Sequence, residues 1–224
     1  MENQIQRMAI LGASRGLGWA TYQKISAQFP EAQFLLVSRK IQNCHVGATA
    51  QVLVQDFSKK LISQDFVQAL IQFRPTQIIY CAGGGPYGVY QNKKWTDHEW
   101  ALNVNFVYPA QLIHEILNHV SEFKDLKSFT SIGFDIAEAH PDVKASSYCA
   151  AKHALKGLIS TLQTENSTHI RFKLFSPGYM STDLLPVNSA PRDQNKAESP
   201  EKVAEKLIDF ITSNELIWSS SANR

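Results

Sequence analysis

The sequence predicts an α/β protein: one doubly wound parallel sheet of about six to seven strands with helices on both faces. Three observations predict it. Short apolar or β-branched runs alternate with longer amphipathic segments, the pattern of repeated strand–helix–strand units. A glycine-rich turn joins the first apolar run to the first amphipathic segment. The chain of 224 residues, with 44% hydrophobic and 19% charged residues, has the size and composition to bury one core, so residues 1–224 are expected to form a single domain.

Met8-Ala9-Ile10-Leu11 is the first strand, and the helix after it runs from about Gly16 to Phe29, where Pro30 stops it. Phe34 to Val37, Val52 to Val54 and Ile78 to Cys81 are the next strands. Between the last two, Phe66, Ala69, Leu70 and Phe73 repeat at helical spacing. After Gly83-Gly84-Gly85-Pro86 a long helical region extends to about Phe123, followed by a strand over Ser128 to Ile132 and a helix over roughly Ser146 to Glu165. Ile170 to Phe175 is a sixth strand closed by Pro177-Gly178. Residues 186–200, rich in Pro, Asn, Asp, Lys and Ser, read as a mobile loop on the substrate side. Glu201 to Ile211 is a last amphipathic helix, and Leu216-Ile217-Trp218 a short edge strand.

Composition excludes several function classes. A formal charge of +2 with no basic run argues against nucleic acid or an anionic membrane as partner. Cys44, Cys81 and Cys149 are odd in number and widely spaced, so neither a disulfide framework nor a zinc site is expected, and the histidines lack metal spacing. There is no signal-peptide pattern at the first residues and no run of roughly 18 apolar residues, so the expected location is cytoplasmic. No Gly-x-Ser-x-Gly elbow accompanies a hydrolase triad.

Gly12-Ala13-Ser14-Arg15-Gly16-Leu17-Gly18 lies between the first strand and the first helix, where glycines let backbone approach a pyrophosphate at a helix N-terminus. Arg15 stands inside this loop. Arg39 follows the second strand, where an NAD-specific site carries an acid for the ribose 2′-hydroxyl. A guanidinium there suits a 2′-phosphate, so the cofactor expected is NADP(H). Tyr148 and Lys152, one helical turn apart in Tyr148-Cys149-Ala150-Ala151-Lys152, project from one helix face. An ordinary tyrosine titrates near about 10; a neighbouring cation favours its phenolate and makes it a usable acid/base.

These motifs, taken in order, resemble the short-chain dehydrogenase/reductase family in its short, single-domain branch, over Arg7 to Leu184 with a weaker match from Ser199 to Ile211. The resemblance implies a Rossmann-like fold and a hydride transfer between NADP(H) and a small-molecule carbonyl or alcohol. It also implies roles for particular residues. Gly12, Gly16 and Gly18 match the cofactor loop, with Ser14 and Leu17 inside it; Asp56-Phe57 matches the pair that holds the adenine; Asn105 matches the asparagine that anchors a water relay to the lysine. Ser131 matches the serine that bonds the substrate oxygen, Tyr148 and Lys152 match the catalytic pair, and Pro177-Gly178 and Thr182 match the segment that holds the nicotinamide.

The sequence departs from the family pattern after the fourth strand, where Tyr80-Cys81-Ala82-Gly83 replaces Asn-Asn-Ala-Gly. Ala82-Gly83 keeps the small residues beside the cofactor, and Cys81 reads as a small buried hydrophobe. The path from Ser131 to Tyr148 is a few residues longer than the family's usual spacing, which leaves Thr130 and Asp135 as alternatives for the substrate-facing position. The glycine-rich final strand that often supports tetramer packing is absent, so a homo-oligomer stays open as the assembly. Tyr87, Tyr90, Trp95, Phe134 and Tyr179 are expected near the substrate or in ordinary packing. The alternative to an enzyme is an NADP(H)-sensing binding protein of the same fold.

Overall fold

Strand β1 (Arg7–Leu11) lies inside the sheet, paired in parallel with β2 (Gln33–Val37) on one side and β4 (Gln77–Tyr80) on the other. The structure is a computed structural model describing residues 7–139, 143–165, 168–185, 190–194 and 196–221. With β3 (Ala50–Leu53), β5 (Ser128–Ile132), β6 (Arg171–Ser176) and β7 (Ile217–Ser219) the strand order is β3-β2-β1-β4-β5-β6-β7, every pair parallel. This is the doubly wound, Rossmann-like sheet the sequence predicts, at seven strands.

Parallel strands covered on both faces are apolar on both faces, and the alternation in β1 shows how the chain meets that demand. Ala9 and Leu11 enter a core with residues of α2 (Gln64–Phe73), α4 (Tyr108–Asn118) and α6 (Ser146–Glu165), such as Phe66, Leu112 and Leu155. Met8 and Ile10 enter the opposite core with residues of α1 (Gly16–Gln28) and α8 (Pro200–Thr212), such as Ile25 and Leu207. Full burial of each such side chain contributes roughly 1.5–3 kcal/mol.

Two elements differ from expectation. Strand β3 starts two residues earlier than predicted because its register is set by pairing Phe34 with Ala50 rather than by burial; Val52 and Val54 are exposed at this edge. The long helical region is α3 (Trp95–Leu102), a π-helical turn over Asn103–Val107, and α4, with Pro109 in the first turn of α4. Of the segment 186–200, positions 186–189 and 195 lie outside the described residues; within the rest, Ala190–Asp193 is a short helix, α7. Residues Asp135–Ala139 form another short helix, α5.

The face of β6 turned toward α8 carries a lysine. Lys173 is fully buried; its Nζ donates to the carbonyls of Phe210 (2.6 Å) and Ser213 (3.0 Å) at the end of α8 and stands 4.3 Å from the Phe210 ring centre. A cation on the last helical carbonyls satisfies groups that the helix itself leaves unpaired. Burial pushes Lys173 down to about 8, with Arg171 acting in the same direction and Glu215 opposing. Between that value and the ordinary lysine value near about 10.4, the unfolded chain binds more protons than the folded one, so the contribution of Lys173 to stability rises with pH. Urea unfolding of wild type and Lys173→Met should therefore show a stability difference that shifts in favour of wild type as pH rises from about 8 toward 10. A difference constant across that range counts against the assignment.

Candidate active site

A cavity of about 680 Å³ opens at the carboxyl ends of the strands, where the order reverses between β1 and β4. Its walls come from the turns after each strand: Gly12 to Leu17 after β1, Ser38 to Lys40 after β2, Asp56 to Ser58 after β3, Cys81 to Tyr87 after β4, Ile132 to Phe134 at the end of β5, and Pro177 to Leu185 after β6.

The turn after β1 is shaped by glycine. Gly12 has φ +95°, and a Cβ there would overlap the backbone of Ala82 and Cys81; its N–H donates to the Val37 carbonyl at 2.7 Å. Gly16 has φ +57° and opens α1, whose first turn has no side-chain cap and no acid, leaving its N–H groups directed into the cavity end. Gly18 is off the cavity wall: it packs against the carbonyl of Gly12, where a Cβ would lie 2.5 Å away. Here the glycine lets the helix seat on the strand rather than on a ligand.

Arg39 lines the cavity after β2, together with Lys40, which sequence reasoning passed over although it is adjacent. Asn43 and Cys44 also line this end and carried no signal in the sequence. Arg15 lines the cavity and pairs with Asp183 at 3.3 Å, an exposed contact that links the glycine loop to the segment after β6. Asp56 accepts the Ser58 hydroxyl and N–H at 2.7 and 3.0 Å. Burial raises its pKa, but these hydrogen bonds, with Arg39 and Lys59, bring it below the ordinary carboxylate value. Phe57 closes the wall while packing edge-on against Tyr80 and Tyr108.

At the opposite end, Tyr148 and Lys152 reach the cavity from α6, with Lys152 Nζ 5.4 Å from the Tyr148 ring centre. Lys152 is buried and donates to the Ile132 carbonyl at 2.7 Å. Burial pushes it down to about 8, against the opposing pull of Glu138 and Cys81. Burial likewise pushes the Cys81 thiol up to about 12, as befits a small packing residue. Asn105 occupies the π-helical turn, off the cavity wall: its Nδ2 donates to the carbonyls of Gly84 (2.6 Å) and Ala101 (2.7 Å), and its Oδ1 accepts from the Gly84 N–H at 3.3 Å. Gly83 fits between Asn105 and Lys152; an added Cβ would stand 2.9 Å from Asn105 Oδ1 and 3.8 Å from Lys152 Nζ.

Ser131 is elsewhere. It sits within β5, fully buried, with no partner for its hydroxyl among the described residues, and neither it nor Thr130 lines the cavity. The strand runs on through Ile132, and the residues that meet the cavity are Ile132, Gly133 and Phe134. Asp135 does not line the cavity either: its carboxylate accepts the hydroxyls of Ser219 (2.6 Å), Ser220 (2.7 Å) and Ser221 (2.8 Å). Burial raises its pKa, and those three hydroxyls more than offset this. No side chain fits at Gly133 without displacing Ser176 and Glu138, whose side chains fill that place.

The remaining wall is aromatic. Phe134 packs edge-on against both Tyr148 (5.5 Å) and Tyr179 (5.4 Å), and Tyr87 and Trp100 face the same space. Tyr90 and Trp95 do not line it. Tyr90 stacks on His98 at 4.2 Å, and His98 is held by Ser147 (Nδ1 to Oγ, 2.6 Å) and by the Tyr90 carbonyl (3.1 Å), tying the loop before α3 to the residue preceding Tyr148.

Strand order, crevice and glycine turn together define a doubly wound α/β protein of the dinucleotide-binding type. Residues 6–193 match the family model of the short chain dehydrogenase, and the chain belongs to that family. No curated protein sequence matches it. Among solved structures it resembles BdcA in complex with NADPH (19% identity, TM-score 0.75, 94% of this chain and 88% of that one). It also resembles 4-hydroxyisoleucine dehydrogenase complexed with NADH (21%, 0.79, 93% and 91%) and a short-chain dehydrogenase from Sphingobium yanoikuyae in complex with NADPH (16%, 0.77, 95% and 86%). At these identities the likeness is one of fold. Among the described residues no helix is long and apolar enough to cross a membrane, and no cluster of His, Cys, Asp and Glu is suited to a metal.

The placement of Ser131 and Gly133 sets a pair of outcomes. Ser131→Ala should leave kcat within about twofold of wild type, because its hydroxyl does not reach the cavity. Gly133→Ser should cost about 1–3 kcal/mol of stability by forcing Ser176 and Glu138 apart, read as a lower midpoint in urea.

Proposed function

We propose that the chain is an NADP(H)-dependent oxidoreductase that transfers a hydride between the nicotinamide and an organic carbonyl or alcohol, with Tyr148 as general acid/base. The observation that carries this reading is the meeting of Tyr148 and Lys152 at one end of a cavity whose other end is the glycine turn and the basic residues after β2. The residues fit the cofactor: Gly12 and Gly16 leave a cradle that Cβ atoms would fill or strain, and Arg39 and Lys40 offer paired cations to a 2′-phosphate. Solved structures of like fold hold NADPH in two cases and NADH in another, so the choice of NADP(H) rests on Arg39 and Lys40. When bound, the cofactor supplies or accepts the hydride.

The protein's own part follows from the walls. Gly12 to Leu17 would hold the pyrophosphate at the start of α1, Asp56-Phe57 and Arg39 the adenosine end, and Pro177, Gly178 and Thr182 the nicotinamide end. Tyr148 gives a proton to the carbonyl oxygen at its phenol, or takes one from the alcohol. Lys152, one turn further along α6, favours the phenolate while it is charged. Asn105 holds Gly84 and thereby the strand-end turn that passes the cofactor. Phe134, Tyr179, Tyr87 and Trp100 exclude water around the reacting carbon and favour an uncharged, apolar substrate.

A second reading, an NADP(H)-sensing binding protein with little turnover, draws on one observation: β5 presents no hydroxyl to the cavity to share the carbonyl oxygen with Tyr148. NADPH oxidation assayed with a panel of ketones, aldehydes and quinones separates the two. Turnover with any member, abolished in Tyr148→Phe while NADPH affinity stays near wild type, is the expected result; turnover retained in Tyr148→Phe removes the mechanism. NADPH should bind more tightly than NADH by fluorescence titration, and Arg39→Asp should reverse that order. Tighter NADH binding by the wild type contradicts the cofactor reading.

A further inference from the structure

The Ile132–Phe134 turn carries a charged group from each of two helices. On one side Lys152 Nζ donates to the Ile132 carbonyl at 2.7 Å; on the other, Glu138 Oε1 accepts the Phe134 N–H at 3.0 Å. The same Oε1 accepts the Ser176 hydroxyl at 2.6 Å, and Oε2 lies 3.4 Å from the ammonium of Lys156, one turn beyond Lys152 on α6. The Glu138 side chain is only 4% exposed, so its charge is fixed in direction and poorly screened by water. A buried carboxylate is costly unless cations and donors surround it, and this one is surrounded. Room for it exists because residue 133 is glycine: a Cβ there would occupy the place of Ser176 Oγ and Glu138 Oε1.

We propose that Glu138 is a positioning residue for the Tyr148–Lys152 pair: its carboxylate, anchored on the Ile132–Phe134 turn, is the counter-charge that keeps the buried Lys152 an ammonium. The inference rests on the reading of Lys152 as the cation that tunes Tyr148. Around Lys152 the titratable groups are Cys81 from the turn after β4, Glu138 from α5, and Tyr148 on its own helix; around Glu138 they are Lys152 and Lys156. Cys81 is a neutral thiol at neutral pH, because burial pushes it up to about 12. Glu138 is thus the fixed negative charge among these groups. Burial already pushes Lys152 down to about 8, so without Glu138 the ammonium would be lost at lower pH and the phenolate would lose its support.

The test follows the 15N resonance of Lys152 Nζ through a pH titration, a readout independent of turnover. In Glu138→Gln, which keeps an acceptor for Ser176 and Phe134, the midpoint should fall by on the order of one pH unit, and the alkaline limb of kcat should fall with it while KM changes little. In Lys156→Met, which removes the competing half-exposed cation and leaves the core intact, the midpoint should rise. A Lys152 midpoint unmoved in Glu138→Gln overturns the proposal; should that variant fail to fold, a midpoint unmoved in Lys156→Met does so. If the midpoint shifts as expected but Tyr148→Phe still turns over, the catalytic reading fails and the pairing of Glu138 with Lys152 stands.

Discussion

The backbone of Gly12 passes the backbone of Ala82 with no space between them for a side chain, and much of the molecule is arranged around that approach. It requires β1 and β4 to be neighbours, which sets the reversal of strand order and hence the crevice. It fixes where α1 begins, because the turn has only the residues from Gly12 to Arg15 in which to leave the sheet and present free N–H groups. The hydrophobic faces of the sheet supply stability, but this contact places the opening.

Much of the framework was legible in the sequence because it follows from repeated local rules. Both faces of each inner strand are buried, so the strands read as continuous apolar runs, and a helix such as α2 announces itself by its apolar stripe, with Phe66, Leu70 and Phe73 buried. The glycine turn and the Tyr148–Lys152 spacing were legible for the same reason: each depends on residues close in the chain. What could not be read depends on register. Strand β5 spans Ser128–Ile132 as expected, but the direction in which each hydroxyl faces leaves no trace in the sequence, and Ser131 is held in the interior, off the cavity wall. Edge strand β3 was displaced because its side chains are not selected by burial. Lys40 and Asn43 joined the cavity wall through the geometry of the segment after β2, and Trp100 through the placement of α3, neither of which leaves a periodic trace.

Gly133, Ser176 and Glu138 form one local unit in which the space beside residue 133 is filled by the side chains of the other two. The effect is to place a buried carboxylate directly behind the cavity wall. Asp135 contributes in the neighbouring turn, where its three serine partners bind the end of β7 to the start of α5. The cavity wall at Ile132–Phe134 is therefore supported, through Asp135, by the last strand of the sheet.

The stack of Tyr90 on His98, with His98 bonded to Ser147, bears on how such a protein can change its substrate. Loops at the mouth of a pocket are ordinarily free to vary because the scaffold beneath is indifferent to them. Here the loop before α3 is fastened to the residue next to Tyr148, so remodelling that loop also moves the phenol. New substrates are more accessible through Leu184, exposed on the cavity wall after β6, and evolution or a designer gains by leaving the His98 side alone.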